Sequence, residues 1–278
     1  MNKAPLTRET YTRDLLDLFR FLGERFGLAS VDQVALAHLE GYLAHLDGRG
    51  LKGTTRRRKV AATRSFFRFC AHKQLSDHDP AAQLIPPDRE YHQPRVLTEA
   101  EYKRLLEAVR HEPRDAAIIE LLLQTGMRRT ELSRLTVQDV TLPARISKDE
   151  GHVGHVHIQG KGRRERTVTL NWKACKAIKA YLAVRPRVAD AHLFITKFGQ
   201  GIGPRAIQDV VEKYLAEARI VGASVHTLRH TFGTHQTKRG TPLRVVQEAL
   251  GHASLATTEI YVGLAREQMD KALQENAL

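Results

Sequence analysis

The sequence predicts a mainly α-helical chain of two domains: an N-terminal helical domain and a C-terminal, mostly helical domain with a small antiparallel β-sheet. Three observations carry that prediction. Apolar residues recur every three or four positions through most of the chain, the spacing that lines one face of a helix. Pro80, Pro86, Pro87 and Pro94 crowd into residues 76–96, which reads as an extended linker. Strand signals are confined to residues 153–170. The expected boundaries are residues 1–85 for the first domain, 86–96 for the linker and 97–278 for the second domain.

In the first domain, Tyr11, Leu15, Leu18 and Leu22 fall on one helix face, and Gly27 ends that helix. Asp32 is expected to cap a second helix over about residues 33–46. A turn at residues 48–53 then leads through Thr54 and Thr55 into a third helix reaching His72. Val60, Phe67 and Ala71 form its apolar stripe, while Arg57, Arg64 and Arg68 form another. Residues 48–76 hold Arg49, Lys52, Arg56, Arg57, Arg58, Lys59, Arg64, Arg68 and Lys73, and no acid. Positive charge in a helix's first turn opposes the macrodipole by ~0.3–1 kcal/mol per group. Arg56, Arg57, Arg58 and Lys59 therefore sit where an isolated domain gains nothing from them. A bound phosphate backbone would resolve the conflict; a solvated basic face is the alternative. These four, with Arg64 and Arg68, are the candidate nucleic-acid-binding residues.

The second domain opens with Thr98-Glu99-Ala100-Glu101, a capping box for a helix reaching about Arg110. Pro113 begins another helix over residues 116–124, closed by Gly126 just past its end. Val153, Val156 and Ile158, followed by residues 167–170, predict a hairpin whose turn is Gly160-Lys161-Gly162-Arg163-Arg164. Residues 204–219, 226–239, 242–250 and 255–262 read as helices separated by Gly222, Gly240 and Gly251. A last amphipathic piece at 265–275 carries Met269 and Leu273 on one side.

Charge narrows the partner class. The chain carries 44 Lys+Arg against 31 Asp+Glu, a net +13, so a polyanion is the leading partner and an anionic membrane surface the second. No apolar run reaches the ~18 residues of a membrane span. Residues 1–20 alternate charged and apolar groups, so no secretory leader is expected. Cys70 and Cys175, far apart and outside any CxxC spacing, read as unpaired thiols in a reducing cytoplasm.

The last fifth of the chain carries chemistry. It reads His226-Thr227-Leu228-Arg229-His230, then Leu250-Gly251-His252, then Tyr261 nine residues later. Arg128, after Gly126-Met127, and Lys161 in the hairpin turn complete the set. Cutting a DNA strand without losing its bond energy to water needs a protein nucleophile that keeps the phosphate. A tyrosine suits this, because its phosphodiester can be attacked back by a sugar hydroxyl. The phenol's pKa of ~10 calls for cations that favour the phenolate. Guanidinium groups complement the extra negative charge of the pentavalent transition state, and a lysine of lowered pKa can protonate the departing alkoxide. Arg128, Lys161, His226, Arg229, His252 and Tyr261 supply that inventory with no metal or cofactor.

Each piece alone has a plainer reading. Tyr261 between Ile260 and Val262 reads in isolation as a core tyrosine, and Arg128 as a cation at a helix C-terminus. Rival motifs fit less well. His226 and His230 have the spacing of zinc ligands, but Thr227 stands where HExxH requires Glu. His152, His155 and His157 have no Cys or carboxylate partner at useful spacing. Gly160-Lys161 fails the phosphate-loop pattern, because Gly162 replaces the required Ser or Thr.

In these residues the chain resembles the tyrosine recombinases of the integrase family, nearest to compact Xer-like, transposon and phage enzymes. The segment from Thr125 to Leu132 looks like that family's first-arginine segment, and Gly160-Lys161-Gly162-Arg163-Arg164-Glu165-Arg166 is similar to its lysine-bearing turn. His226-Thr227-Leu228-Arg229-His230, Leu250-Gly251-His252 and Thr258-Glu259-Ile260-Tyr261 match its remaining boxes. The resemblance runs through most of 97–265 and, more loosely, into the N-terminal helices, which look like a core-site-binding domain.

The resemblance implies a site-specific recombinase in which Tyr261 forms a 3′-phosphotyrosyl link. Lys161 would act as general acid, and Arg128 and Arg229 as phosphate clamps. His226 would assist proton transfer, His252 would hydrogen-bond a phosphate oxygen, and Glu131 would orient the Arg128 region. It further implies double-stranded DNA with inverted-repeat core sites, a homotetramer on DNA (with or without a partner recombinase), and a cytoplasmic, nucleoid-associated location. Gly263 departs from the His of close relatives, and residues 143–155 look longer than in compact members. The competing functions are a monomeric type IB topoisomerase-like relaxing enzyme and a DNA-binding regulator that never cuts.

Overall fold

The computed structural model describes residues 5–88, 94–148, 153–160 and 165–251. The chain divides into two compact units, Met1–His92 and Gln93–Leu278.

The first unit holds α1 (Pro5–Phe26), α2 (Leu36–Gly48) and α3 (Gly53–His72). Leu18 and Leu22 of α1 meet Leu39, Tyr42 and Leu46 of α2 and Val60 and Phe67 of α3 in one core, with Ala81 and Leu84 closing its end. Gly27 has φ 68°, a conformation that suits glycine, and it ends α1 as expected. The start of α2 differs from expectation. Asp32 does not cap it: its N-cap is Ala35, whose amide meets the His38 ring at 3.1 Å, and Ser30 caps a separate single 3-10 turn at Val31–Gln33. Its hydroxyl accepts from the Asp32 amide at 3.4 Å, while the Gln33 side chain accepts from the Ser30 amide at 3.1 Å. That capping box satisfies the local amides before α2 begins at Leu36.

The second unit is helical around a small sheet. Its helices are α4 (Glu99–Val109), α5 (Pro113–Thr125), the short α6 (Arg129–Leu132), α7 (Trp172–Val184), α8 (Pro204–Glu217), α9 (Val225–Lys238) and α10 (Leu243–Leu250). Strands β1 (Val140–Thr141), β2 (Gly154–Gln159) and β3 (Glu165–Leu170) form one antiparallel sheet in that order. The β2–β3 register pairs Gly154 with Leu170 and Gln159 with Glu165, as a hairpin requires. Thr98 caps α4 through the expected box with Glu101. Helix α5 is buried on nearly every side and packs on α7 and α9, which makes it the axis of the unit.

Helix α7, strand β1 and the four-residue α6 went unforeseen. Helix α7 has a clear signal: Asn171 accepts from the amides of Lys173 and Ala174 at 3.1 Å each, and Ala174, Cys175, Ile178 and Tyr181 are buried at helical spacing. Strand β1 has two residues, too few for any alternation to register. His155 is exposed and His157 half-buried, alternating with the buried Val156 and Ile158, so they stand on the outer face of β2. Among the described residues, no helix is long and apolar enough to cross a membrane.

Candidate active site

The site is built around the C-terminal end of α10. A helix end leaves carbonyl oxygens without intrahelical partners, and cations are favoured there. Here three consecutive carbonyls are each met by a different arginine. Arg166 Nε donates to the Ala249 oxygen at 2.8 Å, Arg229 Nη2 to Leu250 at 2.6 Å, and Arg128 Nη2 to Gly251 at 3.0 Å. Gly251 takes φ 64°, and the chain leaves the helix there.

Arg229 comes from the second turn of α9 and is only 7% exposed. Its Nη1 donates to the Gly126 carbonyl at 2.6 Å, so one guanidinium joins the end of α5 to the end of α10. Gly126 is the left-handed cap of α5, at φ 61°. A Cβ added there would lie 2.6 Å from Leu250 Cδ2 and from Phe232 Cδ1. No larger residue fits, and the close approach fixes where Arg128 emerges two residues later.

Arg128 is tied down by Glu131. The buried carboxylate accepts from the Arg128 amide and from its Nη1, both at 2.8 Å. Arg166 grips both oxygens of the same carboxylate, at 2.8 and 3.2 Å. Burial works against ionisation of Glu131, yet the hydrogen bonds from Arg166 and Arg128 outweigh it and hold its pKa below the ordinary value. The Arg128 side chain remains 39% exposed, so its outer face is open to a ligand.

His226 stands in the first turn of α9, where amides attract anions. Its pKa is lowered, first by partial desolvation of the ring and then by the charges of Arg129, Arg229 and Arg128. The imidazole is thus neutral near pH 7 and shares the field of three guanidiniums. His230, a turn later, is lowered by burial and by His226 and Arg229.

Of the six candidate catalytic residues, Arg128, Arg229 and His226 are brought together. Lys161, His252 and Tyr261 lie outside the described residues, as do the expected helices at 255–262 and 265–275. Sequence reasoning gave no role to Arg166. The available signal was its parity: it shares the inward face of β3 with the buried Val168 and Leu170, where a charge requires a partner.

The candidate DNA-binding residues are more occupied than expected. Arg56 pairs with Asp47, Arg58 with Asp14, and Arg57 donates to the Pro87 carbonyl. Lys59, only 8% exposed, contacts Asp17 at 2.8 Å and Asp14 at 3.3 Å. The Tyr42 hydroxyl also donates to Asp17, at 2.7 Å. Although burial opposes it, these bonds bring the Asp17 pKa down to about 2. Three of the four cations at the start of α3 are therefore met by acids of this unit: Asp14 and Asp17 of α1, far off in sequence, and Asp47 of α2, nine residues from Arg56. Lys59 is a buried ion-pair partner in this arrangement rather than a surface cation. Arg64 donates to the carbonyls of Ala81 and Ala82 at 3.4 and 3.2 Å, and Arg68 is exposed.

Comparison with known proteins places this geometry in context. A family model for the phage integrase family matches residues 95–268, and one for the N-terminal SAM-like domain of phage integrases matches residues 2–74. The chain is 32% identical to tyrosine recombinase XerC of Pelotomaculum thermopropionicum, over 99% of this chain and 93% of that protein. It is also 32% identical to tyrosine recombinase XerD of Halalkalibacterium halodurans, over 95% of this chain and 88% of that protein. Its fold is similar to that of the XerH site-specific recombinase solved on a palindromic difH substrate in a post-cleavage complex. That match has a TM-score of 0.80 at 24% identity and covers 96% of this chain and 79% of the other.

Proposed function

This chain belongs to the phage integrase family, and we propose how its side chains divide the work of cutting and rejoining duplex DNA. It is a tyrosine site-specific recombinase. Tyr261 attacks the scissile phosphorus and forms a 3′-phosphotyrosyl bond; the bond to the 5′ oxygen breaks, and Lys161 gives that oxygen its proton. Arg128 and Arg229 hold the non-bridging oxygens as charge builds on them. His226, kept neutral by its surroundings, takes a proton from the phenol or a neighbouring water, and His252 donates to a phosphate oxygen. A 5′ hydroxyl from a second strand reverses the step and rejoins the backbone. The scheme calls for no metal or cofactor.

One observation supports this reading above the others: Arg128 and Arg229, 101 residues apart in sequence, donate to adjacent carbonyls of α10 with His226 in their field. The partner is double-stranded DNA carrying inverted-repeat core sites. The protein works there as a tetramer, of one chain or with a partner recombinase, in the cytoplasm on the nucleoid. Phosphate contacts supply most of the affinity and a few base contacts the specificity.

The test uses two duplexes carrying the cognate site, incubated with the protein and separated on a denaturing gel. Recombinant strands joined across the two sites are expected. Relaxation of supercoiled DNA without joined strands would instead mark a topoisomerase-like enzyme. Binding without any covalent product would mark a regulator.

A further inference from the structure

The arginines at the end of α10 play different parts. Arg128 and Arg229 belong to the proposed phosphate clamp, whereas Arg166 has no role in it. Yet Arg166 donates three hydrogen bonds there. Its side chain, 12% exposed, spends Nε on Ala249 and both Nη groups on the two oxygens of Glu131. Glu131 in turn holds Arg128, and Arg128 reaches Gly251. The contacts close a ring that leaves α10 at Ala249, passes through Arg166, Glu131 and Arg128, and returns to α10 at Gly251.

Gly251 is shaped to this ring. A Cβ on it would lie 2.8 Å from Arg166 Nη1, and its φ of 64° already disfavours a side chain. The glycine of the Leu250-Gly251-His252 box thus accommodates a guanidinium from β3. Arg166 stands one residue beyond the strand end that carries the lysine turn, since Gln159 and Glu165 face each other there.

We propose that Arg166 is a positioning residue. It locks Arg128 against the C-terminal end of α10, where Arg229 also donates, so that the two clamping guanidiniums keep one relation to the phosphate. The inference rests on the reading that Arg128 holds the scissile phosphate. A lysine cannot replace it: an ammonium is a single point donor and cannot serve a carboxylate fork and a carbonyl in fixed directions.

The test measures single-turnover adduct formation at saturating DNA for wild type, Arg166→Lys, Glu131→Gln and Arg128→Ala. Two substrates are used, an ordinary nicked duplex and one whose scissile group is a neutral methylphosphonate. On the phosphate, Arg166→Lys and Glu131→Gln are expected to slow the reaction by about a hundredfold, the scale of a misplaced reacting group, with DNA affinity unchanged. On the methylphosphonate, which has less charge to clamp, most of that deficit disappears. A deficit of the same size on both substrates, or a wild-type rate, would overturn the positioning role. If Arg166→Lys does not fold, Arg166→Gln, which keeps a donor towards Glu131 but cannot span both partners, is measured on the same two substrates with the same two outcomes. Should Arg128→Ala cleave the phosphate normally, the functional reading fails. Should it be disabled while Arg166→Lys behaves as wild type, only the positioning role fails.

Discussion

Arg229 donates to the Leu250 carbonyl at 2.6 Å across 21 residues of chain, tying α9 to the last turn of α10. The same guanidinium reaches Gly126, so it braces two helix ends while presenting its charge to the site. Replacing it leaves those two carbonyls unmet and, on the proposed mechanism, removes a donor to the transition state. Arg229→Ala is expected to slow adduct formation by ~10²–10³-fold. It should also lower stability by roughly 1–3 kcal/mol per unsatisfied group, read from urea denaturation. Loss of activity with no loss of stability would show that the bracing is dispensable.

His226 should titrate below its ordinary value of 6.5 in the free protein, because desolvation and the nearby guanidiniums favour the neutral ring. A phosphodiester seated among those guanidiniums would cancel part of their field and raise the value. Following the His226 ring protons by NMR with and without a cognate duplex checks both signs. A midpoint above 6.5 in the free protein, or one that falls on binding, would contradict the geometry.

Glu131 gives an acid-dependent signature. Its folded pKa is depressed, so its stabilising effect is present above its ordinary 4.5 and is lost as pH falls through the folded value. Removing one partner of a buried ion pair costs about 3 kcal/mol, and Glu131→Gln should show a loss of that order at pH 7. The gap between wild type and variant should narrow below pH 4.5 in urea titrations. A gap that holds constant with pH would mean that the carboxylate charge is not what matters.

The basic cluster of α3 separates by role. Lys59→Met leaves Asp14 and Asp17 short of a cation and should destabilise the protein by about 3 kcal/mol. Arg68→Ala, at an exposed position, should leave stability untouched. It should reduce the slope of log affinity for DNA against log salt by ~0.9, one phosphate contact. Equal effects of the two variants on stability would refute this division.

Much of this was legible in the sequence, because the signals were local. Thr98 with Glu101, Gly27 and Gly126 announce helix ends through nearest neighbours, and the structure places them so. What escaped depends on contacts between distant segments. The acids that balance Arg58 and Lys59 lie in α1, more than forty residues away, so a run free of acids looked uncompensated. Arg166 gains its meaning only when α6 and α10 reach β3. Asp32 was misjudged for a local reason: it lies inside the 3-10 turn that Ser30 and Gln33 box, and α2 starts only at Leu36. Arg128, His226 and Arg229 were named from motif order; the meeting of the two arginines at the end of α10, with His226 in their field, is the structure's contribution.

The most direct measurement is to digest the covalent product formed on a nicked cognate duplex and identify the DNA-linked peptide by mass spectrometry. A single 3′-phosphate ester on Tyr261 is expected, absent from Tyr261→Phe and formed equally well in EDTA. A DNA-linked peptide from elsewhere in the chain, or no covalent product on a duplex the protein demonstrably binds, would contradict it.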